Sequence, residues 1–310
     1  MTVQQHPDQT TTTAPLSRVV GDRAAELREE PGLLPRLLAD PTTLILAVHG
    51  TRVPLADDAV PVLHFATLAD TTIDPSSITG YLGRDASGTH VLLAGIRDEA
   101  EVAAPGGWAE MRIIGGGLSA EDADLGVTGV ALARWHYAAP FCPACGGATE
   151  LRQAGWSREC GGCGRLHFPR TDPAVIVAVT DDQDRLLLGR NAAWPEGRYS
   201  LFAGFVEAGE SLEATVVRET FEEAGVSVVD IAYGASQAWP YPQSLMVGFF
   251  ARAESAEAAR ADGTEIATVR WCTHDEIDEA LAGRGQITVP GSASIARSLI
   301  EQWHAGTARS

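Results

Sequence analysis

The sequence predicts an α/β protein in which a mixed sheet has helices on its faces, preceded by a small cysteine module and a separate α+β domain. Three observations predict it: strand-like apolar runs interrupted by two helical patterns near the C-terminus, two Cys-x-x-Cys pairs in mid-chain, and a different series of apolar runs before them. The 310 residues are enough for two cores. We divide the chain into a disordered tail (1–17), an N-terminal domain (18–138), a cysteine module (139–170) and a C-terminal domain (171–310).

The first 17 residues are polar and rich in Thr and Gln, with neither an apolar segment nor a basic leader. This composition favours a disordered tail over a signal peptide. In the domain that follows, strands are predicted at Thr43–Val48, Val60–Thr67 and His90–Ile96. A helix is predicted over Leu118–His136, with Ser119 as its N-cap. No catalytic pattern is evident in this domain, so we expect it to support the fold or position a substrate.

The net charge and the hydropathy limit the possible partners. A formal charge of −18 argues against a general duplex-binding surface, although a small basic pocket stays possible. No apolar run has the length of a membrane span. We therefore expect a cytoplasmic protein without a membrane or duplex DNA partner.

Four of the five cysteines form two pairs, Cys142/Cys145 and Cys160/Cys163, separated by 14 residues. In a reducing compartment this spacing predicts a tetrahedral zinc thiolate site instead of disulfides. The module is too small for a core of its own and is expected to depend on the ion. Cys272 lies in an alternating apolar run and is interpreted as a core residue.

The C-terminal domain contains the apolar runs of the predicted sheet. Strands are predicted at Ala174–Val179, Arg185–Gly189, Val228–Tyr233, Leu245–Ala251 and Ile266–Cys272. Helices are predicted for a Glu-rich segment after Gly204 and for Ser292–Trp303.

The Glu-rich segment is the most informative part of the chain. Glu219, Glu222 and Glu223 have the i, i+3, i+4 spacing that places side chains on one helix face, where like charges repel. Ser211 is a suitable N-cap and Gly225 a suitable C-cap. Such a face is often only a solvated surface, but Mg²⁺ is typically held by a few carboxylates together with substrate phosphates. The pattern therefore predicts a phosphate-chemistry site.

The spacing G-x5-E-x7-R-E-x-x-E-E-x-G resembles the Nudix box. The matching positions are Gly204, Glu210, Arg218, Glu219, Glu222, Glu223, Gly225 and the apolar Val226. Thr220 departs from the usual aliphatic residue on the packing side of the helix.

A second motif lies downstream, at Ser236-Gln-Ala-Trp-Pro-Tyr-Pro-Gln-Ser244. Two aromatic residues among prolines predict a stiff loop that stacks on flat rings, or else a loop anchored by its tryptophan. Together with the cysteine module and the box, the loop resembles the NADH pyrophosphatases of the NudC type, whose loop has the form SQPWPFPxS. Ala238 replaces a proline of that motif, and Tyr241 replaces a phenylalanine.

This resemblance implies a Nudix α/β/α sandwich, a zinc ribbon with one structural Zn²⁺, and catalytic Mg²⁺ or Mn²⁺. The divalent ions would be held by Glu219, Glu222, Glu223, Glu265 and the backbone carbonyl of Ala203. Glu222 is favoured as the base that takes the proton of water, and Arg218 would orient the carboxylates. The alternative for Glu265 is a surface carboxylate in a loop.

The resemblance also implies a set of substrate contacts. They are Phe168, Phe205, Gln237, Ala238, Trp239, Pro240, Tyr241, Pro242, Gln243, Ser244 and Ala296. Phe205 and Trp239 would enclose the nicotinamide ring, with Trp239 supplied by the partner in a homodimer. Phe168 stands where the family has tyrosine, so a hydroxyl contact is lost.

The function implied is hydrolysis of the diphosphate bond of NADH or NAD⁺ to nicotinamide mononucleotide and AMP, together with removal of the NAD cap from RNA 5′ ends. An alternative is hydrolysis of another dinucleotide, such as ADP-ribose or a diadenosine polyphosphate. A third possibility is a zinc-ribbon regulator that binds nucleic acid and uses the Nudix fold only as a scaffold.

Overall fold

The computed structural model describes residues 14–17, 21–57 and 59–307. The N-terminal domain contains the strands β1 (Leu44–Val48), β2 (Arg52–Asp57), β3 (Val62–Leu63), β4 (Ile78–Arg84), β5 (His90–Gly95) and β6 (Trp108–Glu110). Its helices are α1 (Leu33–Leu38), α2 (Met111–Ile114) and α3 (Ala120–Ala138). The strands form two three-stranded sheets, in the orders β1-β5-β4 and β3-β2-β6. Only the β1–β5 pair is parallel.

The predicted strands and helix of this domain are present, with one shortened. Ser119 caps α3 by accepting a hydrogen bond from the Asp122 amide at 3.0 Å. The apolar run at 60–67 forms only the two-residue β3, because the chain then leaves β2 and Ala66 exchanges both backbone hydrogen bonds with Ile45 of β1. Strands β2 and β4 were not predicted.

The cysteine module forms a small antiparallel sheet of β7 (Thr149–Arg152), β8 (Ser157–Cys160) and β9 (Leu166–His167). It leans on the N-terminal domain through Trp156, whose indole N–H donates to the Tyr81 carbonyl at 2.7 Å. The Arg28 guanidinium lies 3.7 Å from the centre of the same indole ring. The module is therefore stabilised by contacts with the N-terminal domain, which its small size requires.

The C-terminal domain contains the strands β10 (Asp172–Thr180), β11 (Leu186–Asn191), β12 (Phe202–Phe205), β13 (Val228–Trp239), β14 (Ser244–Ala253) and β15 (Ile266–Cys272). Its helices are α4 (Leu212–Ala224), α5 (His274–Leu281) and α6 (Ile295–His304). The strands form one mixed sheet in the order β13-β14-β10-β11-β15, with β12 also paired to β10. The β10–β14 pair is parallel.

Alternating side chains of the central strand β10 separate two hydrophobic cores. Ile176 and Ala178 pack on the side of α6, in a core that includes Leu299. Val175 and Val177 pack on the opposite side, in the core that includes residues of α4. Helices therefore cover both faces of the sheet, which confirms the predicted α/β/α sandwich.

Part of the predicted tail is packed. Residues 1–13 lie outside the described residues, but Ala14 is 1% exposed and Leu16 is 3% exposed. Ala14 packs in the α6-side core of the C-terminal domain, and Leu16 in the core of the N-terminal domain. The expectation of a disordered tail up to Ser17 is thus wrong for residues 14–17, because two apolar side chains find distant cores that composition alone does not reveal.

Across residues 14–17, 21–57 and 59–307, every helix is either too short or too polar to cross a lipid bilayer.

Candidate active site and zinc centre

The four paired cysteines converge at one point. Their sulfur atoms lie within 4.8 Å of one another, with 3.8 Å between Cys142 and Cys163 and 3.4 Å between Cys145 and Cys160. Sulfur atoms about 2.3 Å from a tetrahedral zinc ion are separated by roughly 3.8 Å, so this arrangement fits zinc. The protein thus has a structural zinc centre of four thiolates, as predicted. Cys272 is fully buried in the α6-side core, also as predicted.

The Glu-rich segment forms α4, and local signals fix both of its ends. The Ser211 hydroxyl accepts from the Ala214 amide at 3.1 Å, and Gly225 terminates the helix with a φ of 67°. Thr220 is fully buried on the packing side. The helix and its caps are therefore those that the sequence predicts.

Arg218 is the centre of the charged network on α4. Its guanidinium donates to both oxygens of Glu210, at 2.7 and 2.9 Å, and to the Phe205 carbonyl at 3.0 Å. It also donates to Glu219 at 2.8 Å and to Glu222 at 3.1 Å. One cation therefore joins the glycine loop to the acidic helix face, which is the orienting role expected of Arg218.

Glu210 is held as a carboxylate. The Arg218 hydrogen bonds are the main cause, the Glu207 amide is a second donor, and the pKa of Glu210 is lowered to about 2. The Thr215 hydroxyl donates to the same carboxyl group at 2.9 Å. Glu210 therefore fixes the loop and stays ionised at neutral pH.

Glu223 has the opposite environment. It is 7% exposed, and one of its carboxyl oxygens is buried without a hydrogen-bond partner. Burial is the main cause, and the negative charges of Glu265 and Glu219 add to it, so that the pKa of Glu223 is raised to about 8. A buried carboxyl with an unpartnered oxygen beside two other carboxyls is a suitable ligand for a divalent cation.

Glu219 lies between these groups, directly against Gly204. A Cβ atom at position 204 would approach the Glu219 carboxyl carbon to 1.9 Å, so only glycine leaves room for the carboxylate. Glu222 is more open, with 58% of its side chain exposed. In the part of the chain that the structure describes, the cysteines are the only group of three or more potential ligands whose atoms lie within 4.8 Å. Arg218 binds Glu219 and Glu222 but not Glu223, and the three box carboxyl groups do not converge as the cysteines do.

A cavity of about 260 Å³ opens beside Glu223. Its lining includes Ala203, Glu223, Trp239, Glu265 and Ala296, five of the residues predicted for the site. The remaining lining residues are Ile176, Gly189, Asn191, Trp194, Ser200, Leu201, Met246, Ile266, Ser294 and Ile295. The cavity is therefore acidic on one wall and largely apolar on the others, as is common for ligand sites.

The sequence reasoning named none of these ten lining residues as part of the site, and they include Asn191, Trp194 and Ser294. Asn191 and Trp194 lie at the end of β11 and in the turn after it, and Ser294 caps α6. Trp194 is followed by Pro-Glu-Gly, a turn-forming stretch that could have marked it as a loop aromatic beside the box.

The motif at 236–244 is not a loop. β13 continues to Trp239 and pairs with β14 from Ser244, so only residues 240–243 form the turn. Ladder hydrogen bonds to β14 explain this extension, which local sequence does not predict. Trp239 of the same chain lines the cavity, so a tryptophan wall exists without a partner subunit, in contrast to the expectation.

Other residues of the motif do not reach the cavity. Gln237 is fully buried and both ends of its amide bind backbone groups, so it is not placed to contact a substrate. Ala238 and Tyr241 pack against the core of the N-terminal domain. Ala238, Pro240, Pro242, Gln243 and Ser244 line a different cavity of about 350 Å³, facing α3. Strand alternation explains why Ala238 and Trp239 line different cavities, whereas Pro240, Pro242 and Gln243 belong to the turn.

Two predicted aromatic contacts are exposed instead of lining the cavity. Phe205 is 57% exposed and Phe168 is 50% exposed. Within β12 the Phe205 side chain leaves the face opposite to position 204, where the Glu219 carboxylate lies, although the Phe205 carbonyl accepts from Arg218. The structure does not bring Phe205 and Trp239 together within one chain.

Comparison with known protein families identifies the cysteine module and the C-terminal domain. A family model described as NUDIX domain matches residues 170–289, and one described as NADH pyrophosphatase zinc ribbon domain matches residues 138–168. A solved structure described as a NUDIX hydrolase from Nitrosomonas europaea is 26% identical, with a TM-score of 0.41 over 54% of this chain and 94% of that one.

Relatives of known name cover nearly the whole chain. Proteins named NAD-capped RNA hydrolase NudC from Mycobacterium tuberculosis (strain H37Rv) and Mycobacterium bovis are each 40% identical over 300 residues, which is 94% of this chain and of each relative. The human protein named NAD-capped RNA hydrolase NUDT12 is 41% identical over 180 residues, or 54% of this chain and 39% of its own.

Proposed function

The chain belongs to the NudC family of zinc-ribbon Nudix hydrolases, and we propose that it cleaves the diphosphate bond of NADH and NAD⁺ to give nicotinamide mononucleotide and AMP. It likewise removes the NAD cap from RNA 5′ ends. The observation that supports this most directly is that a residue of the Nudix box lines a cavity that also has aromatic side chains in its walls. The buried carboxyl of Glu223 forms one wall of that cavity, and Trp239 forms another.

The acidic wall is proposed as the metal site. Mg²⁺ or Mn²⁺ would be held by Glu219, Glu222, Glu223, Glu265 and the backbone carbonyl of Ala203. The unpartnered oxygen of Glu223 supports this assignment, since a buried carboxyl beside two others needs a cation. When bound, the ions neutralise the diphosphate and lower the pKa of a coordinated water.

The remaining chemistry belongs to side chains of the box. We assign Glu222 as the group that takes the proton of the attacking water, because its carboxylate is the most exposed of the three and so is reached by solvent. Arg218 keeps Glu222 and Glu219 oriented through charge-assisted hydrogen bonds. No covalent intermediate is required, since water attacks phosphorus directly.

The nicotinamide end is proposed to lie between aromatic rings. Within one chain, Trp239 and Trp194 line the cavity and Ala296 adds a backbone contact. Phe205, directly after the first glycine of the box, is exposed, so that a ring from a second subunit would cover it. We therefore propose a cytoplasmic homodimer in which the partner completes the aromatic cage.

A product assay tests the function. Purified protein is incubated with NADH, NAD⁺, ADP-ribose or NAD-capped RNA, with and without Mg²⁺ or Mn²⁺. We expect metal-dependent release of nicotinamide mononucleotide, and its loss in Glu222→Gln with the fold intact. Faster turnover of ADP-ribose than of NADH would favour a different dinucleotide hydrolase, and unchanged turnover in Glu222→Gln would refute the assignment of the base.

A further inference from the structure

Gln237 lies at a junction of three segments. Its side-chain Nε2 donates to the Ala293 carbonyl at 2.9 Å, and its Oε1 accepts from the Leu16 amide at 3.3 Å. The residue is fully buried, so water cannot replace either bond. A backbone N–H only donates and a carbonyl only accepts, so the two partners fix the orientation of the amide.

The bond to Ala293 joins the two walls of the active-site cavity. Gln237 and Trp239 are two residues apart on β13, so their side chains leave the same face of the strand. Ala293 directly precedes Ser294–Ala296, a second segment that lines the cavity. Gln237 therefore ties the strand of Trp239 to the segment of Ala296 without entering the cavity.

The bond to Leu16 brings a third segment to the same point. Residues Ala14–Ser17, which we call the strap, have an apolar anchor in each domain: Ala14 in the α6-side core and Leu16 in the N-terminal core. The Ser17 hydroxyl donates to the Ser236 carbonyl at 2.6 Å, next to Gln237. The strap is thus fixed to β13 at two adjacent residues, Ser236 and Gln237.

We propose that Gln237 is a positioning residue and that the strap, acting through Gln237, sets the spacing between Trp239 and Ala296 that a dinucleotide requires. The proposal rests on the function proposed above. A buried amide that loses one of two partners leaves the other end unsatisfied, so the surrounding segments must shift to restore a bond. A shift of about 1 Å at such a wall is enough to weaken substrate binding severalfold.

The test compares Gln237→Leu with Gln302→Leu. Gln302 is also buried, but its amide donates to Ser298 within α6, so its loss is a matched structural change away from the cavity. KM and kcat for NADH and the melting temperature are measured for both. We expect Gln237→Leu to raise KM about tenfold with a smaller change in kcat, while Gln302→Leu lowers the melting temperature and leaves KM unchanged.

The strap is tested by Ser17→Ala and by Leu16→Pro, which removes the N–H donor together with the apolar anchor; Leu16→Ala, which removes the anchor but keeps the N–H, is the control. Ser17→Ala and Leu16→Pro should raise KM, and Leu16→Pro should raise it more than Leu16→Ala does. The effect of Leu16→Pro beyond that of Leu16→Ala should disappear in the Gln237→Leu background, because the N–H and Gln237 form the same link. If Gln237→Leu does not fold, the two strap variants alone decide the matter.

Any of three results would overturn the proposal: a wild-type KM in the strap variants, an equal rise of KM in Gln302→Leu, or strict additivity in the double variant. Wild-type turnover reports on the proposed function, whereas the variant-to-wild-type KM ratio reports on positioning, so the two failures are distinguishable.

Discussion

Glu223 should destabilise the protein at neutral pH when no divalent ion is bound. Burial, with Glu265 and Glu219 nearby, raises the pKa of Glu223 from an ordinary value of 4.5 to about 8. A carboxyl whose pKa is raised by folding favours its protonated form. Its contribution to stability is therefore complete below pH 4.5 and is lost progressively as the pH rises through 8.

The size of this effect follows from the pKa. The shift corresponds to a loss of about 3 kcal/mol in the free energy of unfolding at pH 7, and about 4 kcal/mol at pH 8. Glu223→Gln keeps the shape of the side chain but removes the titrating proton. The variant should therefore be more stable than wild type at pH 8, and this difference in the free energy of unfolding should shrink to about 1 kcal/mol as the pH falls to 5.

The assay is urea unfolding at pH 5, 6, 7 and 8, with zinc retained in the ribbon and no Mg²⁺ or Mn²⁺ added. Glu213→Gln is the control, because Glu213 is exposed on the same helix. Added Mg²⁺ should stabilise wild type and the control but not Glu223→Gln, whose turnover should be lost. A Glu223→Gln protein that follows the wild-type pH profile, or is less stable at pH 8, would refute the reasoning.

Three further substitutions test other parts of the site. Cys160→Ser should abolish zinc binding and lower the melting temperature, as metal analysis and calorimetry will show, whereas Cys272→Ser should destabilise the core with zinc retained. Phe205→Ala should raise KM for NADH roughly tenfold, since stacking contributes about 1–3 kcal/mol. Turnover of ADP-ribose should be unchanged because that substrate has no nicotinamide. Equal effects on both substrates would contradict the stacking role. Gly204→Ala should lower kcat about a hundredfold, because the added Cβ would displace the Glu219 carboxylate, and should leave the circular dichroism spectrum unchanged. A wild-type kcat in this variant would refute the close contact.

The parts of the site predicted best are those specified by neighbours in the chain. Helix α4 begins and ends at its predicted caps because Ser211 and Gly225 act within one turn of the helix ends. The cysteine pairs converge because two short turns place each pair, and only the meeting of the pairs depends on the sheet between them. Both features could therefore be derived from spacing.

The parts predicted worst depend on contacts between distant segments. The motif at 236–244 forms a hairpin because β14 supplies ladder partners, and that pairing separates Trp239 from Ala238 onto opposite faces. The burial of Leu16 requires a core that begins more than 25 residues later in the chain. Short amphipathic elements such as α5 and β12 were also missed, because few residues give little periodicity.

Arg218 has a consequence for how the enzyme responds to its surroundings. Its guanidinium is an internal counter-ion that partly offsets the charges of Glu210, Glu219 and Glu222 when no metal is bound, whereas Glu223 has no such partner. Loading with Mg²⁺ is then an exchange of cations, in which the incoming ion competes with an arginine for the same oxygens. Such competition weakens metal affinity, and the rate of NADH cleavage should therefore follow the free magnesium concentration instead of saturating at trace amounts.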